Sequence, residues 1–349
     1  MKTVCIRTDG NDKIATGHIQ RCLSIARAVR AVTNSIISQR EVFFIVSDEK
    51  SKEILEERFD EKDEFPIRVL NSDHEKLKDE ADMLFDCISQ LNTTSLLIDS
   101  YAVDENFFTV LHRHTEKVGI KLVYLDDLQS LEKYDVDVII NYSTVSEPAS
   151  YMSVPEKLLG KKFTPLRSQF SDSPAPIRER VSGIFISSGG IDPFGVCTAL
   201  CKNIKDHDFR ILTSRLNKNY DELKELESKN DNIHIYEGIS DVASVMKMCD
   251  MAICAGGTTL GELCALGIPS VSYIIAENQR AGVYEFEKDG IIPCAGDLTE
   301  DPAKTMDNIL AIVAGISSKP ASEREVISKK MRGYIDGTGA SKIAEILID

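Results

Sequence analysis

The sequence predicts an α/β protein of two similar lobes, each built on a parallel sheet flanked by helices. Three observations carry this. Short β-branched and apolar runs alternate with helical patterns almost throughout, as they do where parallel strands are joined by crossover helices. A stretch with two prolines, two serines and an aspartate, residues 171–176, interrupts the alternation before the same grammar starts again. Finally, 349 residues are too many for one ordinary core and suit two, at roughly 100 to 200 residues per domain. The expected lobes are 1–172 and 177–349.

In the first half, residues 3–7, 42–46, 96–99, 121–125 and 136–141 read as buried strands. The spacing of Ile19, Cys22, Leu23, Ala26 and Val29 follows the helical period, so a loop ending at His18 gives way to a helix packed on the first strand. After the break, a strand at 183–188 is followed by others at 209–213, 233–236, 251–254 and 270–275. Helices are expected around 196–204, 241–249 and 260–266. From about Pro302 the chain reads as two helices separated near 317–320, long enough for the last to reach back toward the first lobe.

Composition narrows the function. Apolar residues at 42% and charged residues at 28% set aside disordered, collagen-like and disulfide-scaffold chains. With 56 acidic against 41 basic residues and a net charge of -15, general attraction to nucleic acid or anionic lipid is disfavoured. Any anionic ligand must therefore be held by local features. The nine cysteines are scattered, and the close pairs Cys197 with Cys201 and Cys249 with Cys254 lack the repeated CxxC of zinc sites. Reduced thiols are expected, and no metal is assigned. Residues 1–6 run straight into a strand, and no apolar run approaches the roughly 18 residues of a membrane helix. A cytoplasmic protein without membrane insertion is the expectation.

Three strand-to-helix joints could carry chemistry. The first, residues 9–22, holds Gly17, His18 and Arg21. Such joints lie at the carboxyl edge of α/β sheets, where ligands bind, and imidazole suits proton transfer near neutral pH. Capping the helix or bonding the loop is the commoner use of a lone histidine. The second, residues 186–193, carries Gly189 and Gly190, which admit a ligand to the backbone or merely make a tight turn. The third, residues 254–263, joins an apolar strand to an apolar helix through Gly256, Gly257, Thr258 and Thr259. Free N–H groups and the helix dipole there make an anion site without a lysine. Glu262, a turn in, suits a ribose, or else a cap or a solvated face. The run is not a P-loop, since GxxxxGK[ST] is absent. Asp99, Ser100 and Tyr101 follow one strand, and Asn278 and Gln279 follow another; both groups should rim a crevice, with helix capping the alternative for Asp99 and Asn278. The adjacent Asp126 and Asp127 invite a metal, yet neighbouring strand-end carboxylates alternate in direction and more often cap or turn the chain.

The stretches RTDGNDKIATGHIQRCLSIA, LLIDSY, LVYLDD, VIINYS, PLRSQF, ISSGGID, AICAGGTTLGELCALGIPSVSY and ENQRAG run in order from residue 7 to about 283. In that order the chain resembles the UDP-sugar hydrolases of the pseudaminic-acid pathway (PseG) and the related SpsG-type polysaccharide biosynthesis proteins. The resemblance implies a MurG-like GT-B fold of two Rossmann-like lobes with the active site between them. It implies metal-independent hydrolysis of UDP-2,4-diacetamido-2,4,6-trideoxy-β-L-altropyranose to UDP and free sugar, with inversion at the anomeric carbon and no cofactor. His18 would be the base for the attacking water, Tyr101 and Asn278 would stand near the sugar, and Glu262 would hold the uridine ribose. Gly256, Gly257 and Thr258 would hold the pyrophosphate; Gly17, Arg21, Gly189, Gly190 and Gln279 join them as substrate-binding residues. One departure is Ala15, where the family loop carries glycine; alanine reaches fewer backbone conformations, which bears on the loop path and the sugar accepted.

Attack at carbon needs a base, an oriented water and stabilisation of the departing diphosphate, and the three joints supply these. Attack at phosphorus would more naturally require a divalent metal between carboxylates. Two rivals remain open at this point: an inverting transferase of the same fold, in which an acceptor hydroxyl replaces water, and a UDP-sugar sensor without turnover. Oligomeric state is not fixed by the sequence, and a monomer is compatible with it.

Overall fold

The computed structural model describes residues 2–10, 17–34, 40–143, 148–204 and 207–349. It contains two compact units, residues 1–168 with 338–349 and residues 169–337. The division falls just ahead of the proline-rich stretch at 171–176, and the last twelve residues belong with the first unit rather than with the lobe expected at 177–349.

The first unit contains β1 (Lys2–Thr8), α1 (Gly17–Asn34), β2 (Arg40–Val46), α2 (Glu49–Glu56), β3 (Ile67–Val69), α3 (Ala81–Ser89), β4 (Thr93–Asp99), α4 (Glu105–Val118), β5 (Lys121–Leu125), β6 (Val138–Asn141) and β7 (Glu156–Leu159). Among the described residues its strands form one parallel sheet in the order β3-β2-β1-β4-β5-β6-β7. Both faces are covered. Val4 and Ile6 of β1 pack with Ile19, Leu23 and Ala26 of α1 on one side, while Cys5 joins Leu84, Ile88, Phe107 and Leu111 on the other. Burial on both faces is why these strands read as continuous apolar runs instead of alternating ones. α4 is stopped and started by local chemistry: Asp104 accepts from the Phe107 amide at 2.8 Å, and Gly119 closes the helix in a left-handed conformation.

The second unit contains β8 (Gly183–Ser187), α5 (Val196–Asn203), β9 (Asp208–Leu212), α6 (Tyr220–Lys229), β10 (Ile233–Tyr236), α7 (Val242–Lys247), β11 (Met251–Ala255), α8 (Thr259–Leu266), β12 (Ser270–Ile274), α9 (Arg280–Lys288), β13 (Cys294–Asp297), α10 (Pro302–Ser317) and α11 (Ala321–Tyr334). Its sheet is parallel in the order β10-β9-β8-β11-β12-β13. In each sheet the strand order reverses beside the first strand of the unit, between β1 and β4 and between β8 and β11. Doubly wound sheets bind ligands outside the carboxyl ends of the strands at that switch point.

Beyond Pro302 the chain makes three helices where two were expected. The break at 317–320 is present, but a second one separates α11 from α12 (Gly339–Ile348). Gly337 sits there at φ +79°, and a side-chain carbon at that position would collide with the Phe170 carbonyl, so the helical path cannot run on unbroken. α12 returns to the first unit, where Ile343, Ala344 and Leu347 pack in the same cluster as Val4 and Ile19. Its last carbonyls are capped from the sheet: Ser95 Oγ donates to Leu347 O at 2.7 Å, Lys121 Nζ to Ile346 O at 2.9 Å, and Arg40 Nη2 to Ile348 O. Cations at a helix C-terminus complement its dipole.

Leu347→Ala should therefore destabilise the first unit by about 2–5 kcal/mol, the range for truncating a buried leucine. Hydrogen exchange would show it as faster exchange in β1 and β4 with β8 and β11 unchanged; equal protection in β1 would mean that α12 is not part of that core.

Candidate active site

Histidine and carboxylate meet at the switch point of the first unit. α1 opens at Gly17, which puts His18 in its first turn and Arg21 three residues on, along the same face. Asp99 ends β4, the strand paired with β1. His18 Nδ1 lies 2.6 Å from Asp99 Oδ1. Arg21 brackets the same carboxylate, Nη2 at 2.5 Å from Oδ1 and Nε at 2.7 Å from Oδ2, and Cys22 Sγ donates to Oδ2 at 3.2 Å. An ionised carboxylate has about four acceptor sites, so Asp99 is saturated.

The electrostatics follow from this arrangement. Burial alone would raise the Asp99 carboxyl, but the charge and hydrogen bonds of Arg21, with those of His18, outweigh it and hold the group well below the usual carboxylate range. Burial likewise works against the Arg21 charge, and Asp99 reverses the effect, so the guanidinium stays firmly protonated. A carboxylate that stays ionised can only accept, so in the neutral ring the proton sits on Nδ1 and Nε2 carries the lone pair.

Arg21, expected to touch substrate, is committed elsewhere. Its Nη1 donates to Asp127 Oδ2 at 2.6 Å and to the Tyr142 hydroxyl at 2.7 Å, its Nε and Nη2 donate to Asp99, and Nη2 also stands 3.0 Å from His18 Nδ1. With its donors used, its role is to position the histidine's partner. Tyr101 follows Asp99 by two residues. Its ring meets His18 edge-on at 4.4 Å, and its hydroxyl donates to Asp127 at 3.0 Å. Burial, then Asp127, raises the Tyr101 pKa, so the phenol stays protonated. Asp126 turns the chain, as one reading of the pair had it: its Oδ1 accepts from the amides of Leu128 and Gln129. His18, Asp99, Ser100 and Tyr101, with Asp9, His74, Glu75 and Ala102, line a cavity of about 260 Å³.

The second unit offers a different surface at its own switch point. Gly256 and Gly257 follow β11 and lead through Thr258 into α8. With Leu260, Asn278, Gln279, Gly282 and Phe286 they line a cavity of about 250 Å³. A Cβ on Gly256 would stand 2.5 Å from Val283 Cγ2 and 2.9 Å from Gln279 Cβ, so only glycine lets α9 approach this closely. Gln279 shapes the turn, its Oε1 accepting from the Ile275 amide at 3.0 Å. Asn278 is exposed, and Glu262 is half-buried in the first turn of α8, outside the lining of this cavity. Gly189 and Gly190 follow β8; the Gly190 carbonyl accepts from Ser214 Oγ at 2.7 Å. Ala15 and the rest of residues 11–16 lie outside the described residues. Among the described residues no three His, Cys, Asp or Glu side chains group as metal ligands would, and no helix is long and apolar enough to cross a membrane.

Sequence reading placed Asp99 at the rim without seeing its bond to His18, and it missed Tyr142 and His74 altogether. The available signal for Asp99 was its position, a polar residue ending an apolar strand next to the histidine-bearing joint.

Comparison with known proteins agrees with this architecture. The family described as a protein of unknown function, DUF354, matches residues 197–306. An uncharacterized protein of Methanocaldococcus jannaschii is 28% identical over 294 residues, covering 79% of this chain; the chain spans 56% of that protein's length. The UDP-2,4-diacetamido-2,4,6-trideoxy-β-L-altropyranose hydrolase of Campylobacter jejuni is 21% identical over 292 residues, covering 82% of this chain and 97% of the hydrolase. The crystal structure of Acinetobacter baumannii MurG superposes with a TM-score of 0.64 at 12% identity, covering 100% of this chain and 99% of that one. The fold is thus GT-B, with two Rossmann-like parallel-sheet units.

Asp99 also sets a pH signature. Its pKa is lower in the folded protein than the roughly 3.9 of an unfolded chain. The stability it contributes is therefore complete above about pH 4 and is lost as pH falls toward the depressed native value. Asp99→Asn should cost about 3–5 kcal/mol near neutral pH, because Arg21 is left buried without its partner. The gap to wild type should shrink below about pH 4. Urea midpoints of both proteins between pH 2 and 7 test this; a gap independent of pH would contradict the assignment.

Proposed function

We propose that this protein hydrolyses a UDP-linked sugar, with His18 as general base for a water that attacks the anomeric carbon and UDP as leaving group. The observation that carries the reading is the His18–Asp99 bond at the switch point of the first unit. With its Nδ1 proton directed to Asp99, the ring offers Nε2 to water, and the imidazolium formed by proton uptake is stabilised by the carboxylate it already touches. Arg21 keeps that carboxylate ionised throughout the cycle.

The second unit would hold UDP. α8 begins immediately after Gly256, Gly257 and Thr258, and a helix N-terminus reached through glycines suits a diphosphate. Glu262 is the candidate for the ribose and Asn278 for the sugar, and Gly189, Gly190 and Gln279 are the further candidates for contact with the substrate. Support for the finer assignment, inverting cleavage of a diacetamido-trideoxy sugar nucleotide in nonulosonate biosynthesis, comes from the likeness to the Campylobacter hydrolase and from the ordered stretches between residues 7 and 283. Nucleoside diphosphate is a good leaving group, so base and anion site suffice without a strong general acid.

Incubating the protein with UDP-2,4-diacetamido-2,4,6-trideoxy-β-L-altropyranose in ¹⁸O-water should place the label on the sugar, with inversion seen in the anomeric proton signal. Label in UDP would mean attack at phosphorus, and UDP release only on adding an acceptor alcohol would make the protein a transferase. His18→Ala should lower turnover by about 10²- to 10⁴-fold, the usual share of a general base, with the Kd for UDP unchanged. Gly256→Ala should do the reverse by calorimetry, raising the Kd for UDP by about tenfold or more as α9 is displaced, roughly the cost of overpacking; UDP affinity like that of wild type would detach this glycine from the nucleotide.

A further inference from the structure

Resting on the hydrolase reading, we infer that Gly282 is a size gate for the sugar: by carrying no side chain it leaves the cavity of the second unit open to an acylamino substituent of the glycosyl group. Gln279, Gly282 and Phe286 follow one another at three and four residues along the start and body of α9, so they share one face of it. All three line that cavity. A Cβ on Gly282 would meet no atom within 4 Å, and its backbone is helical rather than left-handed. Neither packing nor backbone geometry therefore calls for glycine here, unlike at Gly256, and glycine in a helix is less stable than alanine. What Gly282 provides is room on the side that faces the cavity.

The cavity's place in the unit says which part of the substrate it takes. Gly256 and Gly257 line it and lead through Thr258 into α8, where the diphosphate would sit. Glu262, the candidate for the ribose, lies outside the lining, whereas Asn278, the candidate for the sugar, is part of it. The cavity therefore belongs to the glycosyl side of the diphosphate. Its chemistry is mixed. Leu260 and Phe286 give it buried apolar surface, and Asn278 and Gln279 bring primary amides. The Gln279 amide is oriented: Oε1 accepts from the Ile275 amide at 3.0 Å, which turns Nε2 away from that contact. Nε2 makes no hydrogen bond among the described residues and is not closed off. An oriented donor beside apolar surface matches an acylamino group, whose carbonyl accepts from Nε2 while its methyl packs on Leu260 and Phe286. A hydroxyl in its place would leave that apolar surface uncovered.

The test uses the full chain with Gly282→Ala and Gly282→Leu, and with Gly315→Ala as control. Gly315 is a helical glycine of α10 whose Cβ would likewise meet nothing within 4 Å, and it lines neither cavity. Both alanine variants should raise the Tm by about 1–4 °C, as replacing an unconstrained helical glycine does. Calorimetry in the His18→Ala background, where turnover is low, gives Kd for UDP-2,4-diacetamido-2,4,6-trideoxy-β-L-altropyranose, UDP-N-acetylglucosamine, UDP-glucose and UDP. The parent should bind at least one acetamido compound more tightly than UDP-glucose. Gly282→Ala, and Gly282→Leu more strongly, should weaken that compound by about 5- to 150-fold, the factor that overpacking carries, and leave UDP unchanged; Gly315→Ala should change no Kd. Acetamido compounds bound no better than UDP-glucose, or bound by both Gly282 variants as by the parent, would overturn the inference. So would an equal loss for UDP alone, which would give the cavity to the nucleoside diphosphate, or a lower Tm for Gly282→Ala, which would give the glycine to the fold. If the Kd pattern holds while wild type releases no sugar, the hydrolase reading fails alone.

Discussion

Asp99 is a carboxylate wholly buried at the end of a strand, and such a charge persists only where donors surround it. His18 and Cys22 supply two of these donors from α1, and Arg21 supplies the rest. Because Arg21 reaches on to Asp127 and Tyr142, beyond β5 and β6, the same carboxylate indirectly fixes segments at the ends of several neighbouring strands. The orientation of His18 is thus a by-product of electrostatic necessity: a ring that let go of Asp99 would leave a buried acceptor unmatched. The ring is held in one tautomer for the same reason that the unit is stable.

The two units present different surfaces at their switch points. At its switch point the first sets His18 and the Arg21 guanidinium against the carboxylates of Asp99 and Asp127. The second offers glycines, hydroxyls and an amide around the start of a helix, where polarity comes from the backbone. A net charge of -15 is no obstacle to holding a diphosphate by backbone N–H groups, since their field is short-ranged and local.

Much of the fold was legible because strands buried on both faces announce themselves as apolar runs, as residues 121–125 and 251–254 do. The strands that escaped notice, β3, β7 and β13, have only three or four residues each and carry residues such as Arg68, Glu156 and Lys157, so local composition hides them. The strand expected to begin at 136 begins at 138 because Asp137 turns its side chain back onto the Leu122 amide. His18 could be read from its joint alone. Its bond to Asp99 could not, since the two are 81 residues apart and meet only through the pairing of β1 with β4. Arg21 looks like an available cation in the sequence; that it is spent on its neighbours is a property of the folded unit. His74 gave no signal, standing among polar residues of an irregular segment.

The return of α12 to the first unit bears on how the chain matures. Residues 338–349 complete a core whose other parts lie within the first 168, so during synthesis that core lacks Ile343, Ala344 and Leu347 until the whole of the second unit has been made. At roughly 5–20 residues per second, the interval is on the order of ten seconds or more. The second unit is contiguous and needs no later residues, so the first unit, begun first, is the last whose side chains are all present.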